Sequence, residues 1–206
     1  KQALNSNTAS NNTAVGLQAG YSNTTGGMTA IGYLALSSAT VAQWNTAVGN
    51  QALTATTGYG NTALGHAAGL ANTSAQYNVF VGYESGSAFN GTGDTYNTFI
   101  GTGSGKAVTT GTNNTLIGGL AGDAITTASN NVAVGFNALT ANTTAGYNVA
   151  LGTNTLAGNT TGSENAVFGG AAALANTTGT GLTGAGYTAL RFNTTGNYNT
   201  ALGDAA

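Results

Sequence analysis

Nine residues, Asn131-Val-Ala-Val-Gly135-Phe-Asn-Ala-Leu139, constrain this fold most, because the chain keeps repeating them. They return as Asn45-Thr-Ala-Val-Gly49-Asn-Gln-Ala-Leu53, as Asn148-Val-Ala-Leu-Gly152 and as Asn199-Thr-Ala-Leu-Gly203. With the motif glycine as anchor, the series is Gly16, Gly32, Gly49, Gly65, Gly82, Gly101, Gly118, Gly135, Gly152, Gly169, Gly186 and Gly203. The intervals are 16 or 17 residues, apart from one of 19 between Gly82 and Gly101. So short and steady a period is the mark of a solenoid in which each repeat makes one coil. The 19-residue interval predicts a small loop near Asn90-Gly-Thr-Gly-Asp94, pushed out of one coil.

The columns of this internal alignment carry the next inferences. Asn stands four before the anchor in ten of twelve repeats, with Met28 and Leu182 as exceptions. A large aliphatic residue stands one before it in ten, and Ala, Ser or Thr always three after it. Helix is a poor fit, because Gly and Asn recur and the β-branched residues fall in short runs bounded by turn residues. We read each coil as a strand through Asn-Thr-Ala-Val, a turn at Gly, a second short strand and an Asn/Thr/Gly return turn. Gly supplies positive φ at a corner, and the Asn amide can bond the Asn one coil away. The structural anchors are therefore Gly49, Gly82, Gly135 and Gly152, with Asn45, Asn131 and Asn148. The expectation is an all-β parallel solenoid of about 12 coils over residues 1–206, a single array excerpted from a longer fibre protein.

Neighbouring strand residues face opposite sides. The large aliphatic before the anchor is expected to fill the coil. The residue before that should then face outward, yet it is Ala in seven repeats and Phe80, Phe99, Leu116 or Val167 in four. A thin coil has one interior, so a second apolar face needs cover. The expected cover is another copy of the chain, with Ala47, Ala133, Ala150, Phe80 and Phe99 at the interface.

The Asn-x-Ala-Val-Gly-x-x-Ala-Leu repeat resembles the head repeat of YadA-like trimeric autotransporter adhesins and related repeats of bacteriophage tail fibres. The resemblance covers essentially all 206 residues and is most specific at Asn78-Val-Phe-Val-Gly82, Asn131-Val-Ala-Val-Gly135 and Asn148-Val-Ala-Leu-Gly152. It implies a left-handed parallel β-roll, three chains side by side, and a role in attachment at a cell surface or on a virion. The period of 17 is longer than is usual for those heads.

Chemistry-bearing residues are sparse. Charged residues are 4% of the chain, Cys and Pro are absent, and the formal net charge is −2, which makes no basic patch for nucleic acid. No apolar run is long enough for a membrane span, so no membrane insertion by this segment is expected. His66 shares a column with Tyr33, Tyr83, Phe136 and Tyr187, and reads as a surface or interface side chain. Glu84, Asp94, Asp123, Glu164 and Asp204 occupy five different columns, which offers no paired-carboxylate site. Gly101-Thr-Gly-Ser-Gly-Lys106-Ala lacks both the first Gly and the hydroxyl residue of a phosphate loop. Gly179-Thr-Gly-Leu-Thr-Gly184 matches a dinucleotide pattern without a βαβ context. The expectation is therefore no enzyme and no cofactor or metal. Asn-x-Thr/Ser sequences at Asn23, Asn142, Asn159, Asn176 and Asn193 read as turn chemistry rather than glycosylation signals.

A second aromatic column, Trp44, Tyr77, Tyr96, Tyr147 and Tyr198, falls five before an anchor. It reads either as a strip for a surface glycan or protein receptor, or as stacking between coils, which interruption by Gly and Asn favours. Three functions compete: a fibre or adhesin segment that is extracellular, at the cell surface or on a virion; a self-assembling extracellular filament; and a monomeric ice-binding solenoid. The last rests on Thr three before the anchor in eight repeats, but the ladder is Thr-x-Val rather than two-Thr.

Overall fold

The computed structural model describes residues 2–41 and 43–206. The chain is a parallel β-solenoid. Each repeat contributes one three-residue strand, such as Thr46–Val48, Val132–Val134 or Val149–Leu151, to a single 12-stranded parallel sheet. Pairing is in strict register, with Thr46 beside Thr62 and Ala133 beside Ala150. The strands delimit about eleven turns, or ~50 Å of rod at ~4.8 Å per step. No helix occurs among the described residues.

The anchor glycine closes each strand with φ between +122° and +144°, a region open to glycine alone. The anchors also stack. A Cβ on Gly135 would lie 2.5 Å from the carbonyl oxygen of Gly152, and every anchor from Gly16 to Gly186 meets the next one in the same way. Glycine is thus required twice, for its dihedral and for the approach of the following coil.

The second strand expected after the anchor does not form. The chain instead makes successive tight turns, with Ala138 N–H donating to Gly135 C=O (3.3 Å) and Asn142 N–H to Leu139 C=O (3.2 Å). Left-handed residues sit two and four after the anchor, at Asn137 (φ 54°) and Leu139 (φ 58°) in this coil. Their N–H groups point along the rod in opposite senses. Asn137 donates back to Gly119 C=O (3.1 Å), and Leu139 forward to Thr155 C=O (3.0 Å). Turns therefore hold neighbouring coils together where a strand had been expected.

The 19-residue interval is also not a protruding loop. Thr92–Asp94 is a strand paired in parallel with Ser74–Gln76, a second, two-stranded sheet on one flank. The extra residues extend an edge locally.

The interior is a correction to the sequence reading. Ala47, Ala133, Ala150, Phe80 and Phe99 are not an outer interface; each is fully buried inside its own coil. The large aliphatic column faces out instead, with Val15, Ile31, Leu64, Val134 and Leu202 all exposed. The reason is volume. The residue two before the anchor faces the one four after it, and their sizes compensate in most coils; where both are small, at Ala14 with Gly20 and Ala63 with Gly69, Met28 and Phe80 of the next coil fill the space. Ala47, Ala133 and Ala150 pair with Leu53, Leu139 and Leu156; Phe80, Phe99 and Leu116 pair with Gly86, Gly105 and Gly122. A Cβ on Gly105 would come within 2.8 Å of the Phe99 ring. At the center Phe80, Phe89 and Phe99 pack together, with centroids 5.7 to 6.3 Å apart.

The Asn ladder forms as expected, and inside the coil. Asn131 Oδ1 accepts the backbone N–H of Asn148 (3.0 Å), while Asn131 Nδ2 donates to Asn114 Oδ1 (3.2 Å) and to Ala145 C=O (3.1 Å). A second ladder, buried as far as Asn176, joins Asn142, Asn159, Asn176 and Asn193 through Nδ2-to-Oδ1 bonds of 2.9 to 3.4 Å. In the same column Thr56 is buried with its Oγ1 unpartnered. Thr56→Val keeps the shape and removes that hydroxyl, so it is expected to stabilise the protein by ~1 kcal/mol, read as a rise in thermal midpoint.

Candidate functional site

The outer face of the sheet is built from two columns. Thr, Val or Ala three before the anchor and Val, Ile, Leu or Phe one before it both point outward, because the residue between them points in. No member of either column is fully buried, and Leu64 and Phe168 are 49% and 40% exposed. One chain thus carries an apolar stripe the length of the rod. The whole face between its two edges, eleven steps of ~4.8 Å by a width of ~15 Å, covers ~800 Å², the size of one side of a standard protein interface.

Two aromatic rims border this face. The first lies at the left-handed corner before each strand, where Trp44, Tyr77, Tyr96, Tyr147 and Tyr198 all have φ between +50° and +62°. Here Trp44, Tyr59, Tyr77 and Tyr96 form a continuous row with centroid spacings of 6.0, 5.4 and 5.4 Å. Tyr147 and Tyr198 stand apart from it, 66% and 78% exposed. The second rim follows the anchor, with Tyr33, His66, Tyr83, Phe136 and Tyr187; His66 stacks on Tyr83 at 5.1 Å.

Glycine in a rim column is a shelf for the ring of the next coil. A Cβ on Gly27, Gly60 or Gly181 would come within 3.3, 2.8 or 2.6 Å of Trp44, Tyr77 or Tyr198. Interruption by Gly, which had counted against a functional strip, is therefore how the rings are seated. Stacking along the rod and exposure of the outer edge hold together.

The charged side chains gather only at the second rim. Lys106 Nζ lies 2.6 Å from Glu84 Oε2, the one ion pair among the described residues. The Lys106 ammonium, with the Tyr83 hydroxyl, holds the Glu84 carboxyl below its usual range; Glu84 in turn raises Lys106 and Tyr83. Asp123 accepts from Thr140 one coil further on. At the first rim Tyr96 donates to Asp94 (3.1 Å), which pushes the Tyr96 phenol up. Lys106 is thus committed to a carboxylate. No cluster of three or more His, Cys, Asp or Glu suited to a metal ion occurs among the described residues.

Four of the five Asn-x-Thr/Ser asparagines named above are out of reach of an enzyme, and the fifth, Asn193, is half-buried. Asn23, Asn142, Asn159 and Asn176 are fully buried, and the Nδ2 atoms of all four donate to main-chain carbonyls. No protein-family model, curated protein or solved structure matches the chain.

Proposed function

We propose that this chain is a structural and adhesive segment of a homotrimeric fibre, a phage tail fibre or a bacterial surface adhesin, that serves attachment to a cell surface. In this reading three left-handed rolls stand parallel and turn their sheet faces toward one another, outside the cell or on a virion. The observation that carries it is the aliphatic column on the outer sheet face. An apolar stripe running along a twelve-stranded face of interface size is poorly suited to water and well suited to a second copy of itself. The resemblance to trimeric adhesin heads and tail-fibre repeats supports the same arrangement. The job is mechanical and adhesive rather than catalytic.

The test is absolute mass by light scattering over a hundredfold dilution, on the protein and on a variant carrying Ile117→Glu, Val134→Glu and Leu151→Glu. Those side chains point outward, so the variant coil should fold unchanged by circular dichroism. The parent is expected at three chains and the variant at one, because unpaired carboxylates do not fit a dry interface. A parent that is monomeric at every concentration sinks the proposal. Glutamates at Ala47, Ala133 or Ala150 are unsuitable for this purpose, since those positions lie inside the coil.

One observation favours a second reading. Thr13, Thr46, Thr62, Thr183 and Thr200 are exposed in register on the same flat sheet, beside the aliphatic column. A monomer presenting that array would be an ice binder, detected as thermal hysteresis.

A further inference from the structure

The twelve repeats serve as an internal alignment, and the two rims covary within it. Number the coils by their anchors, from Gly16 as coil one. Rings occupy the position after the anchor in coils two, four, five, eight and eleven, at Tyr33, His66, Tyr83, Phe136 and Tyr187. Rings occupy the position five before the anchor in coils three, five, six, nine and twelve, at Trp44, Tyr77, Tyr96, Tyr147 and Tyr198. The second set is the first advanced by one coil, without exception. Where the first position lacks a ring, at Leu17, Asn50, Thr102, Gly119, Thr153 and Gly170, its counterpart lacks one too.

Covarying positions are positions in contact. Within one chain these cannot touch. The rims lie at opposite edges of the sheet face, six residues apart, or roughly 15–20 Å. Ring contacts among the described residues run down a rim, as in His66–Tyr83 and Tyr77–Tyr96, and none crosses the sheet.

We infer that the two rims meet between copies: the rim after the anchor of one chain packs on the rim before the strand of its neighbour, pairing Tyr33 with Trp44, His66 with Tyr77, Tyr83 with Tyr96, Phe136 with Tyr147 and Tyr187 with Tyr198. A fixed offset of one coil along the whole rod demands parallel chains, because antiparallel chains would pair early coils with late ones. Joining opposite rims is a head-to-tail contact, and repeated by rotation about an axis parallel to the rods it closes into a ring. Tyr77 and Tyr198 sit against Gly60 and Gly181 of the preceding coil at 2.8 and 2.6 Å, closer than Trp44 on Gly27 (3.3 Å) or Phe136 and Tyr187 on Gly119 and Gly170 (3.4 Å). The inference rests on the proposed assembly of copies and specifies its seam.

The chain has no cysteine, so engineered thiols report cleanly. Phe136→Cys with Tyr147→Cys, oxidised under native conditions, is expected to give covalent closed trimers on non-reducing gels. Tyr187→Cys with Tyr198→Cys should do the same and covers a failure of the first pair to fold. Mispaired variants, Phe136→Cys with Asn113→Cys or with Glu164→Cys, should stay uncrosslinked, because one more coil of displacement exceeds the Cα separation of about 7 Å that disulfides tolerate. A trimer by light scattering that crosslinks through a mispaired variant, or through none, overturns the seam and leaves the trimer standing. A disulfide closed within one chain also overturns it. A monomer overturns seam and trimer together.

Discussion

Replacing Gly135 by alanine should remove roughly 3–5 kcal/mol of stability, the largest single-residue loss expected in this chain. Two costs add. At φ +139° an L-residue is strained by ~1–3 kcal/mol. The new methyl would also sit 2.5 Å from the Gly152 carbonyl oxygen, which is main chain and cannot swing aside. Coils eight and nine would have to part, breaking the register of Ala133 with Ala150. Gly93 is the control. It too has positive φ, +69°, but a Cβ there meets nothing within 4 Å. Gly93→Ala should cost only ~1 kcal/mol. Urea unfolding of the two variants beside the parent measures the difference; equal losses would mean that the stacking of anchors contributes nothing.

The second large effect is a rescue. Ala133→Phe forces a ring against Leu139 and should cost ~3 kcal/mol or more. Leu139→Gly empties the facing site and should cost ~2–4 kcal/mol, eased by ~1 because φ there is +58°. Together they recreate the Phe99 and Gly105 pairing of coil six. The double variant is expected within about 1 kcal/mol of the parent, a coupling of at least ~3 kcal/mol between two sites. Additive losses would show that the two columns do not share one volume.

That pair of columns also explains where the sequence misled. The period, the Asn ladder and the corner glycine were legible, because each depends on a residue type that few others can replace. Which strand face is inside was not legible from size alone. Large residues usually point in, and Val134 and Leu151 were read so, yet the coil has room for only Ala133 and Ala150 once Leu139 and Leu156 fill it. The compensation between Phe99 and Gly105 was present in the sequence and would have revealed the interior had the columns been compared by volume. The turns after each anchor were hidden for another reason. Leu at left-handed φ, as at Leu139, carries no local signature, and neighbouring coils hold it there. Of the candidate surface, the rims were read as columns, but Tyr59 was missed because it sits one residue off its column while completing the row between Trp44 and Tyr77.

The direction of the ladders has a mechanical consequence. Strand bonds, both Asn ladders and the Thr hydroxyl bonds such as Thr160 Oγ1 to Thr177 C=O (3.0 Å) all run from coil to coil along the rod. A pull on the two ends loads them in tension, one coil boundary at a time, instead of sharing the force in shear across many strands. Each coil that lets go releases 17 residues, or about 50 Å of slack. Bound to a surface under flow, such a rod would lengthen in steps and keep its grip, where a stiffer one would snap free.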